Sequence, residues 1–317
     1  MIRRLRYRLE YLFARSAMAL FDSLPLPFSV RVAEYGADLY FLLGGMRRRT
    51  AIDNLLQAGL ASTPAEARRI ARESFRHFAR LVIESFASLR WLTDDSWPSH
   101  CTLDLHPDSR RLLEDPRQGL LLISGHLGNW EVAAQVLSFL KPVLGIIRPM
   151  DNPHIDALMR WRTNRPGIKV ISKREAHPAA LMGALKQGHI LALLTDQHAS
   201  RDDTVLPFFG RPAYTHTSPA LLHLITRTPI IFGYCERTGP CQYTLHVEEP
   251  LVFPPTGNRQ ADIVRVLSTL TGRLEAAIRR HPEQYLWGHR RWKKLRPMNG
   301  HPPTPGEPVA QPAGNAK

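Results

Sequence analysis

Cysteine is scarce in this chain: Cys101, Cys235 and Cys241 are the only three in 317 residues. Their spacing matches no metal-binding pattern, and an odd count without a clear export signal points to reduced thiols in the cytoplasm. Cys235 and Cys241 flank an expected hairpin turn. A Gly-x-Ser-x-Gly elbow is missing, which leaves a serine hydrolase unsupported. His-Glu-x-x-His and Cys-x-x-Cys are also missing, and His198, His216 and His223 are too scattered to propose a metal site. Neither a Walker A loop nor a Gly-x-Gly-x-x-Gly occurs. No apolar run reaches the ~20 residues needed to span a bilayer. Arg15 and Asp22 interrupt the stretch from Tyr11 to Phe28, and Pro25 and Pro27 end it. Acidic residues are in deficit, 28 against 42 Lys and Arg, a formal charge of +14. That balance suits a polyanionic partner. The charge is spread along the chain, with no helix-turn-helix, zinc-finger or RNA-recognition motif. Nucleic acid is therefore the weaker choice and an anionic membrane surface the stronger.

What remains is ordinary globular composition, 44% hydrophobic and 22% charged, without internal repeats. The basic start, Met1 to Glu10, precedes a segment at 3–22 that reads as an interfacial helix or as a helix packed on the core. The segment at 28–45 reads as core-packed, with Arg47-Arg48-Arg49 ending it. Thr63-Pro64-Ala65-Glu66 combines a capping Thr, Pro at the first helical position and Glu three residues after the cap. It opens a helix to about Leu92, whose stripe of Phe75, Phe78, Ala79, Val82 and Phe86 reads as core rather than as a lipid groove. From residue 119, strand and helix alternate. Strands are expected at Leu120–Ile123, Val143–Ile147, Lys169–Ile171, His189–Thr195, Pro229–Cys235 and Gln242–Val247. Helices are expected at Trp130–Leu140, Asn152–Arg165, Pro178–Lys186, Thr217–Arg227 and Arg259–Arg280. The alternation implies an α/β fold, a mostly parallel central sheet flanked by helices, preceded by N-terminal helices. The expected organisation is membrane-interacting helices over 1–50, one α/β domain over 51–298 and a disordered, proline-rich tail over 299–317.

The most informative stretch is Gly119 to Glu131. The run Leu120 to Ile123, bounded by Gly119 and Gly125, reads as a buried strand. His126 then lies in a strand-to-helix turn, the position where ligands and chemistry collect in open α/β sheets. Glu131 lies five residues on, in the first turn of the next helix. From there its carboxylate can reach back to the imidazole, fix the tautomer and raise the basicity of the other ring nitrogen. Gly125 and Gly128 allow tight turns and close approach of a substrate. The plainer alternative is a structural His–Glu hydrogen bond. Arg148 and Asp196 also follow strand ends and could share a sheet edge with His126. Surface ion pairs or loop caps account for them equally well.

The stretch Ser124-Gly-His-Leu-Gly-Asn-Trp-Glu131 resembles the His-x4-Glu motif of the bacterial lipid A biosynthesis (lauroyl/myristoyl) acyltransferases, a branch of the lysophospholipid acyltransferase superfamily. Similar motifs follow in that family's order: Arg148-Pro-Met-Asp-Asn-Pro153, Thr195-Asp-Gln197, Leu206-Pro-Phe-Phe-Gly210 and Tyr285-Leu-Trp-Gly-His-Arg-Arg-Trp-Lys293. The resemblance spans roughly residues 10 to 296. It implies a glycerolipid acyltransferase-like fold and an O-acyltransferase without cofactor or metal. His126 would be the general base and Glu131 its acidic partner. Arg148, Arg162 and Asp196 would line the site, with Gly128, Asn129, Gln197 and Arg290 as further substrate-binding positions. The match near Arg162 is loose, so Arg165 is the alternative there. The donor would be acyl-carrier protein or acyl-CoA. The acceptor would be a lipid A precursor or related glycolipid at the cytoplasmic face of the bacterial inner membrane. A lysophospholipid acyltransferase, a thioesterase using water with the same dyad, and a non-catalytic basic membrane-binding protein are the alternatives.

Overall fold

A computed structural model describes residues 2–200 and 203–293. The tail from Asn299, read as disordered, lies outside the described residues. Four helices come first: α1 (Ile2–Ser23), α2 (Leu26–Leu42), α3 (Met46–Gln57) and α4 (Pro64–Ala87). Then follow β1 (Cys101–Leu105), α5 (Pro107–Glu114), β2 (Leu120–Ser124), α6 (Trp130–Leu140), β3 (Val143–Ile147) and α7 (Pro153–Thr163). Next are β4 (Ile168–Ser172), α8 (Pro178–Lys186), β5 (Ile190–Leu194) and a hairpin of β6 (Thr204–Phe208) and β7 (Arg211–Thr215). The described chain closes with α9 (Ser218–Thr226), β8 (Ile230–Gly239), β9 (Gln242–Val247) and α10 (Arg259–Arg280).

Seven strands form one sheet in the order β1-β9-β8-β2-β5-β3-β4. Only the β8–β9 pair is antiparallel. The expected mostly parallel sheet with flanking helices is thus the fold. β2 lies in the middle because its whole length is apolar and both its faces are covered. Leu120 and Leu122 pack with Val132, Val136 and Leu137 of α6. Leu121 and Ile123 pack with Leu181 and Leu185 of α8 and with Val266, Leu267 and Leu270 of α10. Burying each such side chain contributes ~1.5–3 kcal/mol, enough to fix this strand as the axis of the sheet. Its C-terminal end carries His126, between its two parallel neighbours β5 and β8.

Several boundaries differ from the sequence reading. The Arg47-Arg48-Arg49 run lies inside α3 rather than at the end of the preceding helix. Gly44 and Gly45, at φ +86° and +92°, break the chain before it. The helix from Pro64 ends at Ala87 and continues as one 3-10 turn at Ser88–Arg90 instead of running to Leu92. α7 stops at Thr163, two residues early, because Arg165 turns to bridge Ile168 and precedes Pro166. β1, α5 and the β6–β7 hairpin had no clear sequence signal. The 28–45 segment was expected to be core-packed, yet α2 buries only Ser29, Asp38 and Phe41. Asp38 receives forked bonds from Arg72 and Arg76 of α4, at 2.7–2.9 Å for three of the four. Its other face leaves Phe28, Val32, Tyr35, Leu39 and Leu42 exposed.

Candidate active site

The turn after β2 is built by backbone demands. Gly128 sits at φ +62°, and a Cβ there would lie 1.9 Å from the Cys235 carbonyl oxygen of β8. Only glycine fits that approach. Asn129 then caps α6: its side-chain oxygen accepts from the Val132 N–H at 3.1 Å, and its own N–H donates to Cys235 O at 2.7 Å. Residues 284–286 fold back along the turn. Gly128 N–H donates to Gln284 O at 3.0 Å, and Leu286 N–H donates to His126 O at 3.1 Å. His126 is therefore pinned on both sides before its side chain makes any contact.

The imidazole is paired with Asp196, not with Glu131. Nδ1 lies 2.8 Å from Asp196 Oδ1, and the His126 backbone N–H donates to Asp196 Oδ2 at 2.9 Å. Asp196 follows β5, the parallel neighbour of β2, so both residues leave the sheet at the same edge. An ionised carboxylate only accepts, so Nδ1 carries the proton and Nε2 holds the lone pair. The Gln197 amide N–H donates to that Nε2 at 3.3 Å, and Trp130 packs edge-on against the ring at 4.9 Å. The His126 side chain keeps 18% exposure against 2% for Asp196, so the imidazole is the accessible member of the pair.

Electrostatics follow from that burial. Desolvation pulls the His126 pKa down, but the charge and hydrogen bond of Asp196 outweigh it, and the net shift is upward from 6.5. Desolvation works against the Asp196 carboxylate, yet His126 and the hydrogen bonds bring it down to about 2. Tyr285 is buried beside Asp196, and burial together with that carboxylate pushes its hydroxyl well above 10. His289 accepts the His198 N–H on Nε2 at 3.1 Å, and burial holds its pKa down at about 4. It is therefore a neutral imidazole near both His126 and Asp196. Arg291 is buried, donates to Thr215 Oγ1 at 2.9 Å and also bonds Tyr214 O. Tyr285 and His289 were not singled out from the sequence, although the Tyr285–Lys293 motif contains them; Arg291 was weighed there only beside Arg290.

The decisive comparison is over the whole length: the model of the bacterial lipid A biosynthesis acyltransferase family matches residues 1–294. The chain belongs to that family. It is 25% identical to the lipid A biosynthesis lauroyltransferase of Escherichia coli K12 over 254 residues, 78% of this chain and 80% of that one. It is 23% identical over 235 residues to the lipid A biosynthesis palmitoleoyltransferase of the same organism, covering 72% of each chain. A lipid A biosynthesis acyltransferase of Haemophilus influenzae is 24% identical over 258 residues, 78% of each. Among solved structures, the chain is similar to a 1-acyl-sn-glycerophosphate acyltransferase from Thermotoga maritima, at 12% identity and TM-score 0.34, over 77% of this chain and 98% of that one.

The other residues expected to serve this acyltransferase are spread more widely than the resemblance implied. Among the described residues, Glu131 makes no hydrogen bond or ion pair with His126. Burial pushes its carboxyl up, countered by Arg165 and Arg162. Arg162 is buried against Phe86, its guanidinium 4.1 Å from the ring, and Arg165 donates to Gln135 Oε1 at 2.7 Å. Glu131 thus lies in the field of Arg165 and Arg162, and the Trp130 side chain donates to it. Asp196, 2% exposed, accepts the two His126 N–H groups. Asn129 is fully buried, its side-chain oxygen shared by Val132 and Ser85, so it caps α6. Gly128 likewise packs against β8. Gln197 alone of the substrate-binding set stands beside Nε2. Arg148 is exposed at the end of β3, two strands from β2 on the same sheet edge. Arg290 is exposed, rests on Met46 Sδ and lines a separate 330 Å³ cleft with Asp53, Asn54, Gln57 and Trp292. Its buried neighbour Arg291 is the one near the dyad. Among the described residues, no cluster of His, Cys, Asp and Glu could hold a metal ion.

Proposed function

We propose that this acyltransferase moves a fatty acyl chain from an acyl thioester to a hydroxyl of a lipid A precursor or related glycolipid, with His126 as general base and Asp196 as its orienting partner. The 2.8 Å Nδ1–Asp196 bond carries the reading, because it leaves Nε2 unprotonated and accessible. Nε2 takes the proton of the acceptor hydroxyl as its oxygen attacks the thioester carbonyl carbon. The tetrahedral oxyanion collapses, the carbon–sulfur bond breaks, and the imidazolium returns the proton to the leaving thiolate. Products are an ester and a free thiol, with no covalent enzyme intermediate. The Gln197 amide is the donor best placed beside the reacting centre, and a preorganised donor of this kind is worth ~3–4 kcal/mol. Acyl-carrier protein and acyl-CoA are both anionic donors suited to a basic chain.

The proposed setting is the surface of an anionic membrane, the cytoplasmic face of the inner membrane. α1 exposes Leu5, Leu9, Leu12, Phe13 and Leu20, and α2 exposes its own stripe of Phe28, Val32, Tyr35, Leu39 and Leu42. Each set recurs at helical spacing on one face. Arg3, Arg4, Arg6, Arg8 and Arg15 are exposed alongside the first stripe. That arrangement suits a helix lying in the headgroup plane. None of the described helices is long and apolar enough to cross a membrane.

The test is transfer by purified protein from acyl-carrier protein or CoA thioesters to a lipid A precursor in mixed micelles. Ester and thiol should form in equal amounts, and His126→Ala should lower the rate ~10²- to 10⁴-fold without loss of fold. Thiol release independent of any lipid acceptor, or a well-folded His126→Ala variant near wild-type rate, would overturn the proposal.

A further inference from the structure

A second buried polar network lies behind the turn that carries His126, and the reaction as derived does not use it. Its centre is Glu84 of α4, fully buried and ionisable. Arg237 of β8 grips this carboxylate with Nε at 2.9 and 3.1 Å and a terminal nitrogen at 2.6 Å. The Tyr243 hydroxyl of β9 donates to the other side of the same carboxylate. Glu84 is thus matched by one cation and one hydroxyl, as a buried charge requires.

Both partners run on to the turn. The Tyr243 oxygen accepts from Asn129 Nδ2 at 3.4 Å, and Asn129 Oδ1 accepts from Ser85 Oγ, next to Glu84, at 3.1 Å. Arg237 pairs its backbone with the Gln284 side chain: its N–H donates to Oε1 at 3.0 Å and its carbonyl accepts from Nε2 at 3.1 Å. Gln284 O in turn accepts the Gly128 N–H at 3.0 Å. His77, two turns before Glu84 on α4, closes the set by donating from Nε2 to Gly128 O at 3.1 Å. Both Gly128 backbone polar atoms and both Asn129 side-chain polar atoms are therefore engaged by α4 residues or by residues bonded to Glu84 or Arg237. These two residues follow His126 with only Leu127 between.

We propose that Glu84 is a positioning residue for acyl transfer: through Tyr243 and through Arg237–Gln284 it fixes the His126–Asn129 turn, and so the aim of His126 Nε2 against Asp196. It touches neither substrate nor the reacting atoms. Such aim matters because a displacement of ~1 Å at a reacting group can cost ~10²-fold in rate.

This inference rests on His126 being the base, and the experiment separates the two. The variants are Glu84→Gln, which keeps volume and removes charge, and Tyr243→Phe, which removes one hydroxyl and leaves the ion pair. Glu34→Gln serves as control. It breaks the contact to Arg80 between α2 and α4 without reaching the turn. Transfer is measured per folded enzyme, with kcat, KM and the acid limb of kcat/KM against pH. Glu84→Gln should lower kcat ~10- to 100-fold with KM for donor and acceptor within about twofold. Its acid limb should move to lower pH, because a turn that drifts from Asp196 loses the interaction that raises the His126 pKa. Tyr243→Phe should show the same pattern at smaller size, and Glu34→Gln should leave kcat and limb unchanged. If Glu84→Gln does not fold, Tyr243→Phe decides alone. Wild-type kcat and an unmoved limb in the folded variants would overturn the positioning role, as would a loss confined to folded fraction. If His126→Ala keeps its rate in the same assay, the general-base reading falls instead.

Discussion

Replacing Asp196 by asparagine separates the observed pairing of His126 from the pairing with Glu131 that its spacing suggested. Asp196 accepts two N–H groups of His126, at 2.8 and 2.9 Å. Asparagine keeps the volume but offers one accepting oxygen and one NH₂. If the oxygen keeps the backbone N–H, the NH₂ faces Nδ1, and two donors would oppose each other. The imidazole relieves this by moving its proton to Nε2, where it can no longer act as base. In a serine-protease triad the same exchange costs ~10⁴ in kcat, and ~10³- to 10⁴-fold is expected here. KM should change little, because Asp196 is buried beneath His126. The pH profile gives an independent sign. In wild type, His126 must lose its proton, and its raised pKa puts the acid limb above 6.5. Without the anion, desolvation acts alone and lowers the pKa, so the residual activity should show its limb below 6.5. The other groups facing the ring are the neutral His289, Tyr285, Gln197 and Trp130, and none replaces the lost charge. The assay is initial-rate transfer from pH 5 to 9 for Asp196→Asn and Glu131→Gln. Glu131→Gln should leave the limb in place and act on KM through Arg162 and Arg165. A limb that moves in Glu131→Gln and stays put in Asp196→Asn would refute the reasoning.

Gly128→Ala should cost at least ~1–2 kcal/mol from left-handed backbone alone, and the Cys235 carbonyl makes the turn shift, so thermal melting and transfer should both fall. Gly36→Ala in α2, with nothing within 4 Å, should be neutral or stabilising by ~0.5–1 kcal/mol in the same melts. The His126–Asp196 pair predicts a stability window. The Asp196 contribution is present above 3.8 and lost as pH falls toward about 2. The raised His126 pKa contributes fully below 6.5 and is lost as pH rises through its folded value. Denaturant midpoints against pH should therefore fall at both ends, and the alkaline fall should shrink in Asp196→Asn. Arg148→Lys keeps charge but loses the planar fork, so a rise in KM at limiting substrate is expected; wild-type kinetics would exclude a bidentate contact. Leu9→Asp with Leu39→Asp should abolish flotation with anionic vesicles while circular dichroism stays native, and retention of native flotation would remove both stripes from the interface.

The sequence alone determined what depends on neighbours along the chain. Apolar runs bounded by glycine marked β2, and strand–helix alternation from residue 119 marked the parallel sheet, because burial on both faces demands continuous apolar strands. The Thr63 cap and the placement of His126 at a strand end were equally local. Tertiary structure decided what depends on which strands become neighbours. Glu131 is five residues from His126 and Asp196 is seventy, yet the β2–β5 pairing brings the distant carboxylate under the ring. The near one meanwhile lies in the field of Arg165 and Arg162. The choice between Arg290 and Arg291 was of the same kind. Adjacent residues in an irregular segment point to opposite sides, and only the packed fold fixes which guanidinium is buried. Asn129 looked like a substrate contact in its motif, and its place at the head of α6 makes it a cap. The exposed stripe of α2 was hidden for a related reason: its apolar spacing fits a core and a membrane alike, and only the position of α4, engaging Asp38, shows which face is left uncovered.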